Sequence, residues 1–295
     1  MSSPLLLALP GNECWATVLA RHTGGELGLL EVRCFPDGER YVRIDSPVSG
    51  RSVAVACTLR NPDEQILALC FTAAAARELG ARRVGLVAPY LAYMRQDTRF
   101  RAGEAITSVT FGTLVSTVID WLVTVDPHLH RHRSLAEVYR VPALAVTAAP
   151  AIGAWVRREH PDAVIVGPDE ESRQWVTAVA EAAGVPWVTM IKARQGDHDV
   201  TVTAPELDPW RDRVPIVLDD IVSTASTMVA AVERLRASGL RAPVCVGVHA
   251  VFAPGATEAL AAAGAARIVT CDTIPHPTNA IAVIPLLASA VLAQV

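Results

Sequence analysis

Short runs of β-branched and aliphatic residues alternate, along 295 residues, with longer Ala-rich segments of helical spacing. This rhythm constrains the fold more than any other feature. Strands joined by crossover helices pair in parallel, and parallel sheets are covered by helices on both faces. In the first half SVAVACTL, RVGLVAPY and WLVTVD read as strands, with helices near residues 62–79 and 107–118. In the second half AVIVGPD, WVTMI, VPIVLDD, APVCVGVHAV and ARIVTCD read as strands, with helices near 170–183, 224–238 and 255–264. The expected fold is α/β, two similar doubly wound parallel-sheet domains without an obvious sequence repeat. The segment RVPALAVTAAP marks the boundary, dividing residues 1–146 from 147–295. A hydrophobic fraction of 51% with only 19% charged residues suits buried parallel strands under Ala- and Leu-rich helices.

A net charge of −4 gives no basic footprint, so no nucleic-acid partner and no anionic membrane is expected. The six cysteines are scattered without a CxxC pair, and several sit in apolar runs. They read as small buried hydrophobes in a reducing compartment, not as a disulfide frame or zinc site. The start, MSSPLLLALPGNEC, has no basic n-region, and its apolar stretch is too short to span a membrane. The apolar C-terminus IAVIPLLASAVLAQV, interrupted by Pro285, reads as a helix packed on the core or on another subunit. The expected location is the cytoplasm.

Three strands run into carboxylates: Asp126, Asp169 and the pair Asp219–Asp220. Ligands of open parallel sheets gather outside the carboxyl ends of the strands, so acids delivered there carry more weight than acids elsewhere. The strongest local signal is VPIVLDDIVSTASTM, residues 214–228. An apolar strand ends in two carboxylates, followed by a short hydroxyl-rich loop and a helix. The loop offers backbone N–H groups and the hydroxyls of Ser223, Thr224, Ser226 and Thr227 at a positive helix end, which makes a phosphate cradle. Asp219 and Asp220 can take sugar hydroxyls, directly or through a metal. The plainer alternative is N-capping by Ser223 or Thr224 with the aspartates on a solvated loop.

DDIVSTASTM resembles the phosphoribosyl-pyrophosphate signature of type I phosphoribosyltransferases and ribose-phosphate pyrophosphokinases, which usually carry a Gly where this chain has Ser226. Other segments separate the two families. CFPDGERYVRI resembles the FxDGE segment of the pyrophosphokinases, and PYLAYMRQDTRFRAGEAITS resembles their PYxxYxRQD segment. VTVDPHLHRH corresponds to their DLH segment, VIVGPDEESRQWV to their SPDxGG strand end, and MIKARQGDHDV to their KRR loop. The resemblance covers nearly the whole chain, from GNE near residue 12 to CDTIPH at 271–276, and leans toward the archaeal-like branch of the ribose-phosphate pyrophosphokinase family.

The resemblance implies domains of the phosphoribosyltransferase kind and pyrophosphoryl transfer from ATP to ribose 5-phosphate with Mg2+. It assigns ATP to Phe35, Asp37, Glu39, Arg95, Gln96 and His128, with Arg99 a weaker candidate. It assigns ribose 5-phosphate to Asp169, Asp219, Asp220 and residues Ser223, Thr224, Ala225, Ser226 and Thr227. His128 and Asp169 are its metal positions, and Lys192 and Arg194 its two catalytic cations, with Ala193 in place of the middle Arg. His130 and His132 are left a mainly structural or surface role. A homo-oligomer is implied as well. A phosphoribosyltransferase would explain residues 214–228 but leave FPDGE and RQD without a role. A regulatory relative that has lost catalysis is favoured only by Ser226 and by Glu170, Glu171 and Ser172, which replace a glycine-rich stretch.

Overall fold

The computed structural model describes residues 3–195, 199–203 and 207–295, with the backbone alone for 191–195 and 199–203. Contacts divide the chain into two compact units, Met1–Val146 with Ile284–Val295, and Thr147–Val283. The terminal segment, expected in the second half, therefore packs within the first unit.

In the first unit the strands are β1 (Leu5–Ala8), β2 (Glu26–Leu27), β3 (Leu30–Cys34), β4 (Arg40–Ile44), β5 (Ser52–Ala56), β6 (Arg83–Ala88), β7 (Trp121–Val125) and β8 (Ala143–Val146). Its helices are α1 (Glu13–Thr23), α2 (Pro62–Glu78) and α3 (Thr107–Ser116). Six strands form one parallel sheet in the order β2-β1-β5-β6-β7-β8, while β3 and β4 make a separate antiparallel hairpin. The central strands β5 and β7 are buried along their whole length, which is why they read as continuous apolar runs. Close packing is strict here: a Cβ on Gly85 would fall inside the Trp121 indole, so the neighbouring strand position can hold only glycine. Asn12, buried at the turn after β1, accepts from Thr58 N at 2.8 Å and from Trp15 Nε1 at 3.0 Å, tying that turn to the end of β5.

In the second unit α4 (Ala149–Glu159) precedes β9 (Ala163–Gly167), α5 (Arg173–Ala183), β10 (Trp187–Thr189), β11 (Ile191–Gln195), β12 (Asp199–Thr203) and β13 (Val214–Val222). There follow α6 (Ser226–Ala237), β14 (Val244–Ala250), α7 (Ala256–Ala262), β15 (Arg267–Cys271) and β16 (Asn279–Ile281). The parallel sheet runs β10-β9-β13-β14-β15-β16, and β11 pairs antiparallel with β12. α5 buries Trp175, Val176, Val179, Ala180 and Ala183, a single stripe of helical period. The last helix, α8 (Leu287–Leu292), belongs to the first unit, where Leu287 and Val291 are buried and Arg83 Nη1 donates to the Gln294 carbonyl at 2.5 Å.

The alternation of strand and helix is as the sequence implied, but both hairpins and the β1–α1–β2 unit lie outside the runs read as strands. β3 and β4 alternate charged and apolar residues with little burial, so neither gives an apolar run. β13 also continues two residues beyond Asp219–Asp220, so the carboxylates sit inside the strand and not at its end. All six cysteines are free; Cys57, Cys245 and Cys271 are buried as expected, whereas Cys14 and Cys34 are exposed. Among the described residues no helix is long and apolar enough to cross a membrane.

Candidate active site

In the second unit β9 and β13 pair side by side, from Val214 opposite Ala163 to Val217 opposite Val166. That pairing brings the Asp169 turn to the Asp219–Asp220 pair. Asp219 is held well above the ordinary aspartate range, first by burial, then by the charges of Asp220 and Asp169. Asp220 is buried and its Oδ1 accepts from Ile221 N at 2.7 Å, while Asp219 Oδ1 accepts from Asp220 N at 3.1 Å. Like charges gathered in a partly dry site make a place where a cation lowers the free energy. Carboxylate oxygens suit a hard divalent ion such as Mg2+.

The loop beyond them is three residues long, Ser223 to Ala225, before α6 begins at Ser226. Ala225 adopts a left-handed conformation with φ of 62°. That is a glycine-type position, and it follows directly the carboxylate strand. Its departure from glycine was not legible in the sequence, since Ser226 drew attention as the substituted position. Ser226 opens the helix instead, and its hydroxyl lies 3.0 Å from that of Thr224. The first turn of α6 carries no acidic residue, which leaves its positive end to an external anion. Ser223, Thr224 and Thr227 complete the loop, and the Ser223 carbonyl accepts from Ala253 N at 3.0 Å.

Asp169 closes its own turn, accepting at Oδ1 from Ser172 N at 3.2 Å, while Ser172 Oγ donates to the Asp169 carbonyl at 2.6 Å. Glu170 and Glu171 stand exposed on this turn. Lys192 and Arg194 lie on β11, opposite Val202 and Val200 of β12. The side chains of that hairpin are outside the described residues.

The first unit holds the expected nucleotide residues on three segments. Phe35, Asp37 and Glu39 occupy the turn of the β3–β4 hairpin, where Asp37 Oδ1 accepts from Glu39 N at 3.2 Å and Phe35 is 40% exposed. Arg33 packs its guanidinium against both Phe35 and Tyr41, at 4.6 and 4.1 Å from the ring centres. Arg95, exposed, and Gln96, half-buried, follow β6, and Arg99 Nε donates to the Glu104 carbonyl at 3.0 Å. His128 follows β7 and stacks on His130, the rings 3.8 Å apart. His132 lies near Ser108 and Glu137, 3.4 Å from each. The two expected metal positions, His128 and Asp169, belong to different units.

Left-handed non-glycine residues gather at these sheet ends. Asn61, Tyr93 and Asp126 follow β5, β6 and β7, and Ala225 follows β13. Strained backbone concentrates where ligands are held. The buried thiols are no candidates as nucleophiles: burial raises Cys57 and pushes Cys245 up to about 12.

Comparison with known proteins also divides the chain in two. Residues 5–118 match the family model for the N-terminal domain of ribose phosphate pyrophosphokinase, and residues 136–285 match the phosphoribosyl transferase domain. The chain is 36% identical over 275 residues to a ribose-phosphate pyrophosphokinase of Methanopyrus kandleri, covering 92% of this chain and 93% of that one. It is 32% identical to the enzyme of that name from Halobacterium salinarum, over 97% of this chain and 100% of that one. In fold it is similar to the crystal structure of phosphoribosylpyrophosphate synthetase from Mycobacterium smegmatis, with a TM-score of 0.87 over 99% of both chains at 24% identity.

Proposed function

We propose that this chain, which belongs to the ribose-phosphate pyrophosphokinase family, transfers the β,γ-pyrophosphoryl group of ATP to the 1-hydroxyl of ribose 5-phosphate. The products are phosphoribosyl pyrophosphate and AMP. One observation carries the reading: the phosphate cradle of the second unit is joined, in one chain, to a first unit matching the pyrophosphokinase N-terminal domain. A phosphoribosyltransferase would have no use for that unit.

The ribose 1-oxygen bonds to the β-phosphorus, the bridge from Pβ to the α-phosphate oxygen breaks, and AMP leaves with that oxygen while the hydroxyl proton is lost. Such chemistry asks the protein for positioning and charge stabilisation. Asp219 and Asp220 hold the ribose hydroxyls, and Ser223, Thr224, Ala225, Ser226 and Thr227 hold the 5-phosphate at the N-terminus of α6. Phe35, Asp37, Glu39, Arg95, Gln96 and His128 hold the nucleotide. Asp169 and His128 are the proposed metal positions; Mg2+, when bound, neutralises phosphate charge. Lys192 and Arg194 meet the charge that develops on the transferring group. A cytoplasmic location, supported by six free thiols, and a homo-oligomer, supported by exposed Leu67, Phe71 and Leu114, belong to the same proposal.

The test is to incubate the protein with ATP, Mg2+ and ribose 5-phosphate and to separate the adenine nucleotides. AMP that appears only with the sugar, matched by phosphoribosyl pyrophosphate, is the expected result. ADP in its place would show an ordinary kinase. If neither forms across several metals and phosphate concentrations, the chain is a regulatory relative.

A further inference from the structure

We propose that Asp97 is a positioning residue of the nucleotide site, acting through Arg131; the inference rests on the nucleotide role given above to Arg95, Gln96 and His128. Those three residues sit on two turns, one after β6 and one after β7. Each turn contains a strained residue: Tyr93 at φ 61° and Asp126 at φ 31°. An aromatic side chain disfavours such an angle, so the Tyr93 turn persists only if surrounding contacts over-determine it, whereas aspartate tolerates it better at Asp126.

Asp97 supplies that constraint. Its side chain is 1% exposed, and it reaches from the first turn to the second. Oδ1 accepts from Arg131 Nη1 at 2.7 Å, and Oδ2 accepts from Arg131 N at 3.2 Å. One carboxylate thus fixes a backbone group as well as a side chain, three residues beyond His128 and two beyond Arg95. Ser108, buried at the start of α3, adds a second tie. Its N–H donates to the Gln96 carbonyl at 3.3 Å, and its hydroxyl lies 3.4 Å from His132 Nε2. Tyr93 is anchored from the other side, donating its hydroxyl to Asp63.

An ion pair whose carboxylate is buried is a poor choice where stability alone is at stake, because desolvation of Asp97 cancels much of its attraction to the half-exposed Arg131. What it supplies is direction. A carboxylate with two donors in fixed geometry holds two loops in one arrangement, which an apolar contact of the same area cannot do. The brace therefore sets the spacing between Arg95–Gln96 and His128 before ATP arrives, so that less ordering remains to be done on binding.

The experiment measures kcat, both KM values and the melting temperature for Asp97→Asn, Arg131→Gln and the double variant. Each single variant is expected to raise the KM for ATP about tenfold, with the KM for ribose 5-phosphate nearly unchanged, since small displacements of positioning groups have effects of this order or larger. The double variant should be no worse than the poorer single, because both remove one interaction. An unchanged KM for ATP in folded variants overturns the proposal, and so does an equal rise for both substrates, which would mark a structural role only. If Asp97→Asn fails to fold, Arg131→Gln decides alone, its side chain being half exposed. Arg95→Ala separates the two levels: no effect on ATP there removes the nucleotide reading itself, and a large effect there with none at Asp97 and Arg131 removes only the brace.

Discussion

The two units repeat one topology and differ in what they do at the same place. In chain order each parallel sheet runs second, first, third, fourth, fifth, sixth strand, with an antiparallel hairpin between the second and third. In each, the third strand leads through a left-handed residue into a helix, Asn61 into α2 and Ala225 into α6. There the likeness ends. α2 opens with Pro62, Asp63 and Glu64, so its own carboxylates sit on the positive helix end. α6 opens with Ser226, Thr227 and Met228, and its acids stand on the preceding strand, at Asp219 and Asp220. On the proposed reading, in which α6 holds the 5-phosphate, a left-handed turn and a helix N-terminus are not enough for a phosphate cradle. The positive end must be left without an internal anion, and the carboxylates must be moved back to where sugar hydroxyls or a cation can meet them.

The hairpins diverge in the same way. The first carries Phe35, Asp37 and Glu39 at its turn, and the second carries Lys192 and Arg194 along β11. Lys192→Ala should lower kcat by about two to three orders of magnitude with little change in the KM for ribose 5-phosphate, as loss of one transition-state donor does. An unchanged turnover would take the second hairpin out of the chemistry. Thr227→Asp copies the first turn of α2 into α6. It should raise the KM for ribose 5-phosphate by about a hundredfold, while helix-end electrostatics stabilise the fold by about 0.3–1 kcal/mol. Equal binding in that variant would break the comparison, since the two helix ends would then differ for some other reason.

The carboxylate site makes a further prediction. Because Asp219 binds its proton more tightly folded than unfolded, its contribution is present below the ordinary value of 3.8 and is lost as pH rises through the raised folded value. Mg2+ at neutral pH should restore stability, read as a higher melting temperature. Asp219→Asn should flatten this part of the pH dependence and reduce the increment from Mg2+. A metal increment equal in the variant and the parent would place the ion elsewhere. The smallest effect concerns the left-handed residues. Ala225→Gly should stabilise by about 0.5–1 kcal/mol, the relief of αL strain exceeding the extra entropy of glycine in the unfolded chain. Asn61→Gly should stay within about 0.5 kcal/mol of zero, because asparagine tolerates that region. Equal effects in chemical denaturation would show that the two turns are strained alike.

The residues proposed for the site could be singled out in the sequence because their pattern is local. Asp219, Asp220 and the hydroxyls of residues 223–227 stand on consecutive positions, and so do Arg95 and Gln96. What escaped the sequence needed neighbours. The clamp of Asp97 on Arg131 joins residues 34 apart in the chain, and RQD by itself reads as a charged turn. The left-handed angle at Ala225 leaves no mark on residue type, because alanine is common everywhere.

By itself the sequence determined the alternation of strand and helix, and with it the class of fold, since apolar runs of strand length between Ala-rich segments have few ways to bury themselves. It also singled out the residues proposed to meet phosphate, sugar and base. Only the tertiary structure decided that the last twelve residues close the first unit, and that the hairpins stand apart from the sheets. It alone decided that the charges of Asp220 and Asp169 bear on the buried Asp219. The physical reason is that pattern and propensity act over a few residues. Charge–charge coupling and buried ion pairs depend on which strand ends the folded chain sets side by side.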